Sequence, residues 1–313
     1  MNIHSKSIST STMTTKAAQK LRIAYVPEHF STPIAFAQKH FGLDAELISE
    51  PLGTGALATR LKADTVDVAV GLTEGFVADL GRTKAARTEA AYGIVGTYVE
   101  SPLCWAISTG AEREDVKSVD ELHGKVVGVS RIGSGSYVMS YVLADQKGWL
   151  SASTQEEQAP FGVAEIGDFT ALRAAVREKK ADFFMWEHFT TKHYWDNGEL
   201  KRIGEIYTPW PSWMICARDA KDERVQDMIE KINKGVQYFR EHPEEAVEHI
   251  TSTMKYSKED AEAWLKTVRF ADDVRGVDPG VINETAGLLR KAGVLKEAAG
   301  GSEHMVAIKR AVT

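Results

Sequence analysis

Two hydrophobic periods alternate along this chain. Continuous apolar runs of strand length, at residues 21–26, 45–49, 66–72 and 92–99, are separated by stretches in which apolar residues recur at helical spacing. Thr32-Pro33 supplies an N-cap and a first-turn proline. Ile34, Phe36 and Ala37 come next on one helical face, and Gly42 stands where that helix stops. Further helices are predicted over 54–62 and 76–84. The resulting order βαβαβαβ predicts a parallel sheet with helices on both faces.

After a strand-like run at 103–108 the pattern restarts. Residues 125–130, 163–166, 183–186 and 202–207 read as strands, alternating with helices over 137–147, 169–179 and 188–195. Ser118 and Glu121 have the S-x-x-E spacing of a capping box. Residues 213–217 read as a strand returning toward the first half. The remainder of the chain is helical: Val225, Met228, Ile229, Ile232, Val236 and Phe239 recur at the 3.6-residue period, Ser257 caps a helix carrying Trp264, and a last helix covers 279–291. These helices have no strands of their own, so they must cover the first sheet. The expected architecture is α/β: two doubly wound lobes joined by a two-strand hinge, with a ligand cleft between them. Lobe 1 is expected to be discontinuous, residues 21–105 plus 211–313, and lobe 2 to be 106–210. Residues 1–20 read as a disordered tail.

One unit occurs twice. Gly53-Thr54-Gly55 opens a helix that leads to the strand Asp67-Val68-Ala69-Val70 and then to Glu74. Gly167-Asp168-Phe169 opens a helix that leads to Asp182-Phe183-Phe184-Met185-Trp186 and then to Glu187. A polar group just past a strand end is how open α/β sheets present ligand contacts.

Several segments resemble the type II periplasmic-binding-protein superfamily. Leu21-Arg22-Ile23-Ala24-Tyr25 is similar to its opening strand. Leu61-Lys62-Ala63-Asp64-Thr65-Val66-Asp67-Val68-Ala69 is similar to its L-x-x-G-x-x-D-x-A segment. Ser118 through Val129 is similar to the dL-x-G-K-k-v-g-v start of its second lobe. The order of elements matches from about residue 21 to about residue 290, and the chain most resembles the sulfonate-, nitrate- and taurine-binding group, which includes thiamine-pyrimidine synthases. A cytosolic fungal or bacterial member would fit. The resemblance implies a clamp that closes on a small ligand.

Composition narrows the partners. The 313 residues are 43% hydrophobic and 26% charged with a net charge of −6, ordinary for a globular protein and too long for a single core. No Lys/Arg stripe marks a nucleic-acid surface, and no apolar run is long enough for direct membrane insertion. The first twenty residues are rich in Ser and Thr and lack the apolar stretch of a secretory signal. A cytoplasmic location is therefore expected, or a periplasmic one if a signal was removed. A transporter partner is expected only in the exported case. Cys104 and Cys216 each stand in an apolar strand and read as small core residues. His188 and His193 miss the i,i+4 spacing of a helical metal pair. No metal and no cofactor is expected.

Five loops leave the predicted carboxyl ends of strands, where such sheets bind ligands. In the first, Glu28 and His29 are candidate polar contacts and Phe30 a candidate apolar face. In the second, Gly53-Thr54-Gly55 offers backbone N–H groups at a helix start, with Thr54 as contact. In the third, Glu74 is either a ligand acceptor or a helix-start carboxylate. The fourth joins Arg131 to Ser134, Gly135, Ser136 and Tyr137, a guanidinium and hydroxyls beside a helix N-terminus that suit a carboxylate, sulfonate or phosphate. It has neither a P-loop lysine nor a third dinucleotide-type glycine. The fifth holds Trp186 and Glu187, with Trp210 and Trp213 at the return crossing as stacking faces or hinge packing. These loops point to non-catalytic binding of a small polar or anionic organic molecule. An enzyme of the thiamine-pyrimidine-synthase kind is the alternative, but the chain has no cysteine cluster and no lysine in the five loops.

Overall fold

The computed structural model of the protein describes residues 19–85, 89–150, 159–296 and 302–310. Residues 1–18, and with them most of the expected tail, lie outside the described residues. The chain forms two five-stranded sheets. The first has the order β2-β1-β3-β10-β4, with β1 (Leu21–Tyr25), β2 (Ala45–Ser49), β3 (Val68–Leu72), β4 (Gly93–Val99) and β10 (Trp213–Ala217). The second has the order β7-β6-β8-β5-β9, with β5 (Cys104–Gly110), β6 (Val126–Val129), β7 (Gly162–Glu165), β8 (Phe183–Glu187) and β9 (Leu200–Tyr207).

Neither sheet is purely parallel. β1 runs parallel to β2 and β3, but β10 runs antiparallel to both β3 and β4. In the second sheet β6 is parallel to β7 and β8, and β5 is antiparallel to β8 and β9. The reversed strand in each sheet is the one that begins straight after the chain crosses between lobes. The crossings, 100–103 and 208–212, are hydrogen-bonded to each other. The Leu103 amide donates to Thr208 Oγ1 at 2.9 Å, and Ser212 Oγ donates to the Ser101 carbonyl at 2.7 Å. This is the two-strand hinge.

The helices match the local signals closely. α1 (Thr32–Phe41) has a proline in its first turn and ends at Gly42, whose φ of 66° is left-handed, but its N-cap is Ser31 rather than Thr32. α2 (Thr54–Lys62) starts after Gly53 at φ 79°. α3 (Thr73–Ala85) begins directly at the end of β3, so Glu74 lies in its first turn. In the second lobe α4 (Gly135–Gln146) is capped by Ser134, α5 (Phe169–Arg177) by Asp168 and α6 (His188–Asp196) by Glu187. The expected capping box at Ser118 is absent: a short 3-10 turn forms there without a side-chain cap, and the Glu121 carboxylate accepts from the Lys117 amide instead.

The C-terminal helices cover the first sheet. α7 (Glu223–Glu241) buries all six of the periodic apolar residues. It crosses α1 closely because Gly235, without a Cβ, lies on the Pro33 carbonyl and Ala37. α8 (Pro243–Thr253), α9 (Lys258–Leu265) and α10 (Pro279–Lys291) complete the layer, and Ser257 caps α9 through the Asp260 amide. Each fully buried Ile, Leu or Phe on these faces contributes about 1.5–3 kcal/mol of transfer free energy. No described helix is long and apolar enough to cross a membrane.

Candidate functional site

The strand ends of the two sheets face each other, and the lobes touch there. Gly135, the first residue of α4, comes so near lobe 1 that an added Cβ would lie 2.8 Å from Glu74 Oε1, and it would lie equally near the ring of Trp105 in β5 of its own sheet. The Arg131 guanidinium of lobe 2 lies on Gly55 at the start of α2 in lobe 1. Reciprocally, the Arg82 guanidinium of α3 lies on Gly133 in lobe 2. Glycine at positions 55, 133 and 135 is what lets these polar heads approach backbone.

Two clusters occupy this interface. In the first, Glu74 is fully buried and accepts from Trp210 Nε1 through Oε2 at 3.1 Å. Its Oε1 is buried without a hydrogen-bond partner, and so is Trp105 Nε1. Burial raises the Glu74 carboxyl from near 4.5 to about 7. Arg131 is half-buried, and among the described residues neither it nor Arg82 is ion-paired. Burial, then the charge of Arg82, lowers the Arg131 pKa. Two unpaired guanidiniums beside the N-termini of α2 and α4 make a setting for an anionic group.

The second cluster surrounds His29. Its Nδ1 shares a hydrogen bond of 2.9 Å with Tyr256 Oη, and the tyrosine also meets Thr190 Oγ1 of lobe 2 at 3.0 Å. His29 Nε2 stands 3.8 Å from Glu187 Oε1 and has no hydrogen-bond partner. Burial holds the imidazole pKa well below its usual value, so the ring is neutral near pH 7. Glu187 is buried and accepts from the Thr190 amide at 2.7 Å as the cap of α6, with its pKa lifted by burial to about 7. Glu28 is raised to about 8, by burial and then by the charge of Glu187. Phe30 lies against His29, Trp213 and Trp264 at ring separations of 4.6, 4.9 and 5.2 Å. Trp213 Nε1 is another buried donor without a partner.

The structure thus brings Glu28, His29, Phe30, Glu74, Arg131, Gly135, Glu187, Trp210 and Trp213 to the facing strand ends. Others serve the scaffold. Thr54 Oγ1 accepts from the Leu72 amide at 2.9 Å, which ties α2 to β3. Ser134 caps α4, and its Oγ is 3.0 Å from Ser136 Oγ. Tyr137 donates to Tyr141 at 3.2 Å. Trp186 is on the opposite face of β8 from Glu187, stacked on Phe169 at 5.0 Å and packed with the core of Leu172 and Phe184. Period-2 alternation of the strand puts it there. Sequence reasoning missed Trp105, Arg82, Thr190, Tyr256 and Trp264. Tyr256 and Trp264 come from the C-terminal helical layer, far from any strand-end loop, and have no local signal. Trp105 is the partner of Glu187 across β5 and β8, visible only once the strands are paired.

Comparison with known proteins agrees with the two-lobed fold. A family model described as Ca3427-like PBP matches residues 105–206. No curated protein matches the chain. Among solved structures, the Candida albicans CA3427 gene product is 41% identical, with a TM-score of 0.80 over 90% of this chain and 92% of that one. It is described as defining a family with the generic periplasmic binding protein fold. The alkanesulfonate-binding protein SsuA of Xanthomonas axonopodis pv. citri, bound to MOPS, is 15% identical with a TM-score of 0.69 over 89% and 94% of the two chains. The periplasmic aliphatic sulphonate binding protein SsuA of Escherichia coli is 16% identical with a TM-score of 0.64 over 89% of each. The two SsuA likenesses show the fold alone. The C. albicans likeness, 41% over nine-tenths of the chain, goes further: this chain belongs to the Ca3427-like family of proteins with the periplasmic-binding-protein fold.

Proposed function

We propose that the protein binds a small polar organic molecule with an anionic group between its lobes, without catalysis, by clamp closure. The first sheet with its helices would move as one body and the second sheet with its helices as the other, with the boundary at the crossings 100–103 and 208–212 and not after residue 105 as expected, because Cys104 and Trp105 already pair within the second sheet. The observation that carries this reading is Glu74 Oε1, a buried carboxylate oxygen with no partner, aimed at the other lobe's helix start. Leaving such a group unsatisfied costs about 1–3 kcal/mol or more. A ligand donor would satisfy it. Trp105 Nε1, Trp213 Nε1 and His29 Nε2 are three further unmatched groups, and Arg131 with Arg82 would take the anionic end. The mixture suits a ligand with both donors and a negative charge.

The solved SsuA proteins are sulfonate binders by name, and a sulfonate or carboxylate is the anionic end proposed here. The test begins with native mass spectrometry of freshly purified protein to find a copurifying mass, and continues with a thermal-shift screen of organic sulfonates and carboxylates. Arg131→Ala should lower affinity for the best hit by about 100-fold, the usual cost of truncating one partner of a buried charge pair, with the unfolding midpoint of the free protein nearly unchanged. Equal affinity in that variant would remove Arg131 from the site.

A further inference from the structure

Three side chains that the cleft does not use converge beside the hinge. Cys104 opens β5 immediately after the first crossing, Glu205 lies on the neighbouring strand β9, and His188 is the first residue of α6. Cys104 pairs with Tyr207 and Ala106 with Glu205 in the β5–β9 ladder, so thiol and carboxylate are held by paired strands rather than by loops. Cys104 Sγ is 3.4 Å from Glu205 Oε2, and His188 Nδ1 is 3.9 Å from the same oxygen. One ligand atom from each of the three lies within 4.8 Å of the others. Around a tetrahedral zinc ion, with bonds of about 2.0–2.3 Å, donor atoms stand about 3.3–3.8 Å apart, so side-chain shifts of under about an ångström would close this set on a metal.

The surroundings also suit a metal. His188 Nδ1 is buried and has no hydrogen-bond partner. Tyr207 Oη donates to the other carboxylate oxygen, Glu205 Oε1, at 3.2 Å, which orients Oε2 toward the thiol and the imidazole. All three residues line one cavity of about 370 Å³, which leaves room for a fourth ligand. One cation competes: Arg202 is ion-paired with Glu205 Oε2. Its side chain is 38% exposed and lies over the Trp195 ring at 5.9 Å, so a bound ion would have to displace it from the carboxylate. Glu187 lines the same cavity, so a bound ion would stand next to a carboxylate of the inter-lobe site.

The geometry points to a binding site for a divalent ion of the zinc class at Cys104, His188 and Glu205, with a fourth position open to the cavity. A thiolate, an imidazole and one carboxylate favour zinc over magnesium or calcium, which take oxygen ligands. Thiol reactivity makes a direct test. The full chain is stripped with a chelator, and alkylation of Cys104 is monitored by peptide mass spectrometry with and without Zn²⁺. Zinc should slow the reaction at Cys104 by at least about tenfold, a chelator should restore it, and Mg²⁺ should do nothing. Equilibrium dialysis should give one zinc per chain, weakened by about 100-fold or more in both Cys104→Ser and His188→Gln, since even second-shell losses cost 10–100-fold. Unchanged alkylation of wild-type Cys104 in zinc, a measurement that needs no variant, overturns the site. So does zinc affinity in the two variants equal to that of wild type.

Discussion

Glu74 and Glu187 both stand at the strand-to-helix junction of the repeated unit, Glu187 as the last residue of β8 and Glu74 two residues past β3 in the first turn of α3, and their oxygens are used differently. Glu187 is engaged by its own lobe: Oε2 caps α6 through the Thr190 amide. Its other oxygen faces His29 across the cleft at 3.8 Å. Glu74 is engaged at the hinge instead. Trp210 at the return crossing takes one oxygen, and the other is left unmatched against Gly135. The same unit has therefore yielded a carboxylate that builds its lobe and a carboxylate left free to bind.

The largest expected effect breaks this comparison at Glu74. Glu74→Gln keeps the shape but replaces an acceptor oxygen or its charge, so affinity for the cleft ligand should fall by about 100-fold, in the range for one member of a buried hydrogen-bonded charge pair. Glu187→Gln should act mainly on α6 and cost about 1 kcal/mol of stability, as the loss of a charged cap does, with a smaller loss of affinity. Calorimetric titration beside thermal unfolding separates the two. Equal affinity losses in the two variants would erase the distinction.

A smaller effect sharpens it through pH. The Glu74 carboxyl is raised from near 4.5 to about 7. A raised carboxyl binds its proton more tightly in the folded state, so its contribution is fully present below about 4.5 and is lost as pH rises through about 7. Glu187 and Glu28 act in the same direction. The buried imidazoles of His29 and His188, whose pKa values are lowered, run the other way: they favour the folded state above their usual value of 6.5. The difference between wild type and Glu74→Gln cancels these. In the ligand-free protein that difference should swing against wild type by up to ~3 kcal/mol between pH 4.5 and 7.5, from 1.36 kcal/mol per unit. Denaturant unfolding at both pH values measures it, and a flat difference would show that the oxygen is hydrated rather than unmatched.

Much of the fold and part of the site are legible in the sequence, for identifiable reasons. Strand ends and helix starts are set by local chemistry, so Gly42, Gly53, Asp168 and Ser257 mark real boundaries, Glu74 falls just past β3, and Glu187 ends β8 and caps α6. Strand direction is not local, and the antiparallel placement of β10 and β5 leaves no trace in the apolar pattern. Nor can spacing reveal Cys104, His188 and Glu205, which come from three elements joined only by sheet pairing. A spacing rule tests one helix at a time. Trp186 is a different case: alternation along Phe183 to Glu187 already separates it from Glu187, and in a strand that period outweighs nearness to a loop.

The smallest expected effect concerns two tryptophans that the sequence treats alike. Trp186 stacks on Phe169 and belongs to the small core of α5 and β8, on the far side of the strand from the cleft. Trp186→Phe keeps an aromatic face there. It should cost about 1 kcal/mol of stability, as near-conservative core changes do, and leave cleft affinity within about twofold. Trp213 packs on Phe30 and has a buried N–H with no partner. Trp213→Phe removes that donor, and if the ligand accepts from it, affinity should fall by about fivefold, the equivalent of one net hydrogen bond of ~1 kcal/mol. Titrating the two variants against the same ligand sets the sides of β8 and β10 apart. A weakened Trp186→Phe beside an unaffected Trp213→Phe would mean that the ligand is held on the other face of the second sheet, because no other route connects Trp186 to binding while sparing the indole at the crossing.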